Sequence, residues 1–255
     1  TTDTRLKQIA IEYTVGDKTV KLGGMAKGSG MISPNMATML SFITTDAAVE
    51  PEILQRMLKE AADRTFNMIS VDGDTSTNDT LCVLASGLSG ASVTDECSEE
   101  AIMFYDALEY ICRYLARKMA SDGEGATKLV EAFVHGAKDI ATAKTVAKSV
   151  INSSLLKAAM FGADANWGRV LCAIGYSGAE LNINGVDVDF VSEKGRIAVC
   201  RDGAGIEFDE DIAKTILLEN EITIDIALSD GEAEATAWGC DLTYDYVKIN
   251  GDYRS

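Results

Sequence analysis

Apolar and polar residues alternate at the start of the chain and later recur at helical spacing. Residues 8–13 and 19–22 alternate with a period of two around Gly16, which predicts two strands joined by a tight turn. Residues 50–66 carry apolar side chains three and four positions apart, and Pro51 suits the first turn of a helix. The same patterns predict further strands at 39–44, 81–85, 128–134, 196–200 and 222–228, and further helices at 98–120 and 139–160.

Together these elements predict an α+β fold, because every helix stripe and sheet face must be buried against another element. The dipeptide Asn184-Gly185 lies between two alternating stretches and predicts a two-residue hairpin turn. The chain has 255 residues, 2 prolines and no Gly/Ser-rich linker. It can therefore bury a core in one or two domains, and its composition marks no boundary between them.

Charge narrows the classes of partner. The chain has 23 basic and 40 acidic residues, a formal net charge of −17. Such a balance argues against a nucleic-acid backbone or an anionic membrane as a general partner. A single lysine in a local site still suffices to bind a small anionic substrate.

Location and redox chemistry follow from what the sequence contains. No apolar run approaches the roughly 20 residues of a membrane span, and no leader pattern opens the chain. We therefore expect a cytoplasmic protein, or a mitochondrial matrix protein in a eukaryote. The six cysteines have no CxxC spacing and His135 is the only histidine, which predicts free thiols and no metal site.

A glycine-rich turn, residues 23–30 (GGMAKGSG), precedes a threonine that follows a small residue, Thr38 after Ala37. A threonine hydroxyl is a weak nucleophile, and backbone cleavage before it supplies a free α-amine as an adjacent base. The pKa of such an amine is roughly 7.7–8.0, so it can accept the hydroxyl proton near neutral pH. Thr38 is also typical of the start of a buried strand, which these residues alone favour, and both interpretations stay open.

Five stretches carry distinctive short motifs. They are 24–32 (GMAKGSGMI), 37–40 (ATML), 70–80 (SVDGDTSTNDT), 161–164 with 166–169 (FGAD, NWGR) and 239–250 (GCDLTYDYVKIN). In sequence and in order they resemble the ornithine acetyltransferase family, the bifunctional enzymes of arginine biosynthesis. The match extends from Thr1 to Ser255.

The resemblance implies an αββα sandwich like that of N-terminal-nucleophile hydrolases, with a smaller C-terminal α/β domain. It implies that residues 1–37 are the tail of an α chain and that 38–255 form a β chain beginning at the nucleophile. The sandwich part then covers about 38–160 and the smaller part about 161–255. It also implies an N-terminal portion before Thr1 with the family's oxyanion-hole Thr-Gly pair, which has no match here.

Residue roles carry over from the matching motifs. Thr38 becomes the nucleophile, first in cleavage of the Ala37-Thr38 bond and later as carrier of an acetyl ester. The ammonium of Lys27 suits a substrate carboxylate or a developing negative charge, and the carboxylate of Glu124 suits the amine of ornithine. Taken singly, such a lysine or glutamate is also typical of a solvated surface charge. The substrate-binding residues implied by the family are Thr1, Lys27, Thr38, Glu124, Asn250 and Ser255.

The implied reaction is a ping-pong transfer in which N-acetylornithine acetylates Thr38 and glutamate then accepts the acetyl group. It requires no metal or dissociable cofactor, and acetyl-CoA is left open as a second acetyl donor. The implied assembly is a heterotetramer of two α and two β fragments. Two alternatives remain: an N-terminal-nucleophile amidase or aminopeptidase that passes the acyl group to water, and an inactive truncated remnant that has lost its N-terminal portion.

Overall fold

The structure is a computed structural model that describes residues 2–33 and 39–252. The chain divides into two compact units. Their segments are Thr1–Ile69 with Asp74–Met119 in the first unit, and Ser70–Gly73 with Ala120–Ser255 in the second. The family resemblance predicted a cleavage at 37/38 and a domain boundary near 160. Both stay predictions.

The first unit combines a four-stranded sheet with two long helices. Its elements are β1 (Gln8–Val15), β2 (Lys18–Lys27), β3 (Leu40–Thr45), β4 (Ala48–Val49), α1 (Pro51–Arg64), a 3-10 turn (Phe66–Met68), β5 (Thr80–Ala85), β6 (Ser92–Val93) and α2 (Glu99–Ser121), whose last two residues belong to the second unit. The main sheet has the order β1-β2-β3-β5, with β3 and β5 parallel and the other pairs antiparallel.

One face of this sheet packs against α2. Val20 and Leu22 of β2 are buried on that face, as the alternating pattern requires. Between the strand and the helix there is room only for a hydrogen at Gly24, because a methyl group there would lie 2.9 Å from Ile111 and 3.1 Å from Leu115. Burying such side chains stabilises the unit by about 1.5–3 kcal/mol each.

The second unit is built on a six-stranded sheet. Its elements are β7 (Leu129–Ala137), α3 (Ile140–Asn152), α4 (Ser154–Phe161), α5 (Trp167–Gly175), a 3-10 turn (Ile183–Gly185), β8 (Asp187–Ser192), β9 (Gly195–Arg201), β10 (Ala204–Gly205), α6 (Glu210–Leu217), β11 (Glu221–Ala227), β12 (Ala233–Cys240) and α7 (Tyr244–Asp252). The sheet order is β10-β9-β8-β11-β7-β12, in which β11 and β7 are parallel and the other pairs antiparallel.

Helix α3 packs on β7 and β12 through a close backbone approach. Val150 and Ile151 are buried, and a methyl group at Gly239 of β12 would lie 3.2 Å from the Cβ atom of Ile151. The short segment Ser70–Gly73 also belongs to this unit, since the Ser70 N–H donates to the Trp238 carbonyl at 2.9 Å. The core of the second unit therefore lies between the sheet and α3.

The predicted α+β class is confirmed, but the single helix predicted at 139–160 is wrong. Two helices, α3 and α4, occupy that stretch, and Ser153 separates them. Its backbone is extended, with φ −67° and ψ 108°, and its side chain accepts a hydrogen bond from the Leu156 N–H. An N-cap serine within an apolar pattern thus ends one helix and begins another.

The hairpin turn predicted at Asn184-Gly185 is also wrong. Ile183–Gly185 form a 3-10 turn in which the Asn182 side chain accepts from the Asn184 N–H at 3.2 Å. A primed turn would need positive φ angles at both central residues, and neither Asn184 nor Gly185 has one. The hairpin of this region instead joins β8 to β9, with Ser192 opposite Gly195.

Among residues 2–33 and 39–252, no helix combines the length and apolarity needed to span a bilayer. The compartment expected from the sequence stays a prediction.

Candidate active site

A glycine turn follows the lysine expected to bind substrate. Lys27 is the last residue of β2, lies opposite Leu40 of β3 and is exposed. Gly28 follows with a φ of +144°, and a methyl group there would lie 3.0 Å from Ile32. Both its backbone conformation and its packing require glycine, so Gly28 fixes the direction in which the chain leaves Lys27.

Residues near the start of the chain hold this turn. The Asp3 carboxylate accepts the Gly28 N–H at 2.9 Å and also pairs with the ammonium of Lys7, whose side chain is fully buried. The hydroxyls of Thr2 and Ser29 lie 2.6 Å apart. A buried ammonium that keeps its carboxylate partner avoids a large desolvation cost, so the contact also ties Asp3 to its place.

The oxygen-rich run 70–80 reaches both flanks of the segment that carries the expected cleavage bond. The Thr75 hydroxyl donates to the Ser33 carbonyl at 2.9 Å, on the N-terminal side. On the C-terminal side, the Asp79 carboxylate accepts the Met39 N–H, and the Thr80 N–H donates to the Met39 carbonyl at 2.8 Å. We call Thr75 and Asp79, with these contacts to Ser33 and Met39, the flank clamp.

Asp79 has the electrostatics of a functional carboxyl. Its Oδ2 atom is buried and has no hydrogen-bond partner among the described residues. Burial raises the pKa of Asp79 to about 6, although the Met39 N–H and the positive charge of Lys27 partly offset that rise. Perturbed carboxyls of this kind cluster at functional sites.

In the second unit, Glu124 and Asn250 come together. The Asn250 amide nitrogen donates to the Glu124 carboxylate at 2.8 Å, across 126 positions of sequence. Gly125 makes the approach possible, because it has a φ of +70° and a methyl group there would lie 2.6 Å from the Tyr246 nitrogen. Only glycine lets the loop lie against α7 in this way.

Asp241 bonds to the backbone that follows Glu124. Its carboxylate accepts the N–H of Thr127 at 2.8 Å and of Lys128 at 3.0 Å, and also the Thr127 hydroxyl. The Thr243 hydroxyl donates to the Gly125 carbonyl at 2.7 Å. A carboxylate that accepts several donors is held firmly, so the Glu124 loop, residues 124–128, is fixed on the C-terminal side of Glu124.

Two buried lysines continue the support. The Lys128 ammonium donates to the carbonyls of Met160 and Leu217 at 2.6 and 2.7 Å, and burial lowers the pKa of Lys128. The Lys157 ammonium donates to the carbonyls of Val71 and Cys240, both at 2.7 Å. Carbonyl oxygens thus solvate two ammonium groups that burial has removed from water.

The structure brings together some of the residues expected at the site. Glu124 and Asn250 are bonded in the second unit, and Lys27 lies in the first. His135, the lone histidine, lies on β7, where its ring nitrogen is 3.0 Å from Asp225. The expected site residues Thr1, Ala37, Thr38 and Ser255 lie outside the described residues.

Sequence reasoning missed Thr75, Asp79 and Asp241. The signal that could have found the first two was the density of side-chain oxygens in 70–80, a composition that also suits local turns. Their partners lie 42 and 40 positions earlier in the chain.

Comparison with known proteins identifies relatives of this chain in sequence and in structure. The arginine biosynthesis bifunctional protein ArgJ of Caldanaerobacter subterraneus subsp. tengcongensis is 52% identical over 255 residues, which are 100% of this chain and 63% of that protein. The glutamate N-acetyltransferase of Methanocaldococcus jannaschii is 50% identical over 259 aligned residues, 99% of this chain and 63% of that protein. A crystal structure of the arginine biosynthesis bifunctional protein ArgJ from Bacillus halodurans superposes with a TM-score of 0.80 at 46% identity, covering 85% of this chain and 100% of that one.

These relatives are longer, and the chain spans less than two thirds of their length. The sequence model of the ArgJ family nevertheless matches all of residues 1–255. Its motifs, its fold and its relatives agree, and the chain belongs to the ArgJ family.

Proposed function

We propose that this chain carries the self-cleavage site and most of the substrate site of an acetyltransferase, which moves the acetyl group of N-acetylornithine to glutamate. The observation that carries the proposal is family membership along the whole chain, with a relative at 50% identity named glutamate N-acetyltransferase. Acetyl-CoA as a second donor would make the enzyme bifunctional, as the name of the Caldanaerobacter relative states for that protein.

The first step is cleavage of the chain. The Thr38 hydroxyl attacks the Ala37 carbonyl carbon, the carbon–nitrogen bond breaks, and the Thr38 nitrogen gains a proton to become a free amine. Water then hydrolyses the resulting ester and releases the Ala37 carboxylate. The flank clamp supports this step, since it fixes the described residues on either side of the bond.

The second step is acetyl transfer. The Thr38 amine accepts the hydroxyl proton while the oxygen attacks the acetyl carbonyl, and the proton passes to the ornithine amine as it leaves. The amine of glutamate then attacks the acetyl ester, and the Thr38 oxygen regains its proton. Donor and acceptor share one pocket because both are α-amino acids.

Charge supports the division of substrate contacts. Lys27 supplies a cation for a carboxylate, and Glu124 supplies an anion for the side-chain amine of ornithine. Asn250 holds the Glu124 carboxylate and retains an amide oxygen as an acceptor. Thr1 and Ser255 complete the proposed contacts.

Cleavage also sets the proposed assembly, in which fragments 1–37 and 38–255 stay associated in an αββα sandwich and two such pairs form a heterotetramer. Residues 38–255 make up about 85% of the chain, the share that aligns with the complete chain of the Bacillus halodurans crystal structure. That agreement supports a stable fragment beginning near Thr38.

Intact mass under denaturing conditions, before and after incubation with N-acetylornithine, tests the proposal on the full gene product. We expect two fragments divided between Ala37 and Thr38, with an acetyl group on the larger one. Thr38→Ala should abolish cleavage and transfer, Thr38→Ser should retain both at lower rates, and Thr44→Ala on β3 should match the wild type. Transfer by Thr38→Ala would refute the mechanism, and acetate formed equally with and without glutamate would identify an amidase.

A further inference from the structure

The flank clamp assigns a role to a residue outside the substrate contacts. We propose that Asp79 is a positioning residue for the nucleophile, whose carboxylate fixes the peptide group joining Thr38 to Met39. This inference rests on the proposed function, because it gives Asp79 a part in the chemistry of Thr38.

Covalent connectivity provides the first argument. The Met39 nitrogen that donates to Asp79 is bonded to the carbonyl carbon of Thr38, and a peptide group is planar. A hydrogen bond from this N–H to a carboxylate is charge-assisted and stronger than a neutral one. Holding this nitrogen therefore fixes the Met39 end of that peptide group.

The second argument is that Met39 is held from several sides. Its side chain is fully buried, its carbonyl accepts the Thr80 N–H at 2.8 Å, and β3 begins at the next residue. The Asp79 contact thus holds Met39, the residue directly before β3. Sites built on strands hold catalytic geometry more firmly than sites on loops.

The third argument is the buried oxygen. A residue that served only to close a loop would satisfy both carboxyl oxygens, whereas Oδ2 of Asp79 is buried without a partner among the described residues. An unsatisfied buried oxygen destabilises the fold. Such a group in a native fold calls for an explanation, and a role in the chemistry of the neighbouring residue is one.

Titration provides a readout that a purely structural role would not produce. The positive charge of Lys27, the last residue of β2, favours the carboxylate of Asp79. Since the pKa of Asp79 is about 6, the carboxylate replaces the neutral acid between pH 5 and 7. The carboxylate is the better acceptor for the Met39 N–H, so cleavage should accelerate as pH rises through 6.

The test uses the full gene product and follows cleavage by intact mass between pH 5 and 8. We expect Asp79→Asn to cleave at least tenfold more slowly at pH 7.5 and to lose the rise near pH 6, and Asp79→Glu to recover part of the rate. Asp17→Asn removes a charge from the exposed turn between β1 and β2 and should behave like the wild type. Wild-type rate and pH profile in Asp79→Asn would overturn the inference and leave the proposed function intact.

A second measurement separates the two failures. In ¹⁵N NMR the Met39 amide should titrate with a midpoint near pH 6 in the wild type and in Thr38→Ala, but not in Asp79→Asn. If the amide titrates and the wild type never cleaves, the hydrogen bond stands while the proposed function fails, and the positioning role fails with it. If cleavage occurs and the amide shows no titration, only the role of Asp79 is wrong.

Discussion

The flank clamp and the Glu124 loop differ in how completely their carboxylates are hydrogen-bonded. Around Glu124, the carboxylate of Asp241 accepts two backbone N–H groups and a hydroxyl, and Lys157 donates to two carbonyls. In the flank clamp, one oxygen of Asp79 is bonded and the other has no partner among the described residues. The loop of the carboxylate expected to bind substrate is thus held by several donors, whereas the carboxyl next to the expected cleavage bond keeps one buried oxygen without a described partner.

The largest expected effect concerns the satisfied network. Lys157→Met preserves the volume of the side chain but removes the ammonium from the carbonyls of Val71 and Cys240. We expect a loss of about 3 kcal/mol in the free energy of unfolding, because both carbonyls lose a charged donor. Urea denaturation measures it, and Lys138→Met, whose contact with Glu180 is exposed at 3.6 Å, should change stability by at most about 0.5 kcal/mol. Equal effects of the two changes would contradict the comparison.

The next effect concerns the approach of the Glu124 loop to α7. Gly125→Ala introduces a methyl group 2.6 Å from the Tyr246 nitrogen at a φ of +70°. We expect destabilisation of about 2 kcal/mol and a KM for N-acetylornithine raised about tenfold, because the loop must move away from Asn250.

Gly90→Ala is the matched control for Gly125→Ala. Gly90 has a φ of +71° and no atom within 4 Å of an added methyl group. It should lose about 1 kcal/mol from backbone strain alone and leave the KM unchanged. If the two alanine variants have equal stability and equal KM, the close approach at Gly125 contributes nothing to binding.

The smallest expected effect concerns Asp79 in the flank clamp. The pKa of Asp79 is raised in the folded protein to about 6, so the folded state binds more protons than the unfolded state at mildly acidic pH. Its contribution to stability is present below about pH 4 and is lost as pH rises through 6. Thermal melts from pH 4 to 7 should therefore show a shallower decline in Tm for Asp79→Asn than for the wild type, and parallel curves would exclude a strained carboxyl.

Local patterns predicted the elements of the fold, but contacts distant in sequence were beyond their reach. The predicted helices at 50–66 and 98–120 are α1 and α2, since both depend on spacing that a single stretch contains. Ser153 was missed because the polar run Asn152-Ser153-Ser154 is short and apolar residues resume at Leu155. At Asn184-Gly185 the turn chemistry was present, but the glycine serves a close packing contact instead, since a methyl group at Gly185 would lie 2.0 Å from the Ser229 hydroxyl oxygen.

The candidate site also contains residues that the sequence supplied and a contact that only the structure showed. Resemblance supplied Lys27, Glu124 and Asn250, and the bond between the last two agrees with roles at a common site. Nothing in the sequence indicated that Asp79 bonds to Met39, because the pairing requires β3 and β5 to be aligned side by side in parallel. Burial of one carboxyl oxygen in a half-buried residue cannot be inferred from a motif.

The four residues Ser70–Gly73 have a consequence for dissecting the gene. The chain leaves the first unit after Ile69, enters the second unit, and returns at Asp74. No uninterrupted stretch of the gene therefore encodes either unit alone. Once the ribosome has added Met119, every residue of the first unit has been synthesised. Trp238, the hydrogen-bond partner of Ser70 in the second unit, has not yet been synthesised at that point.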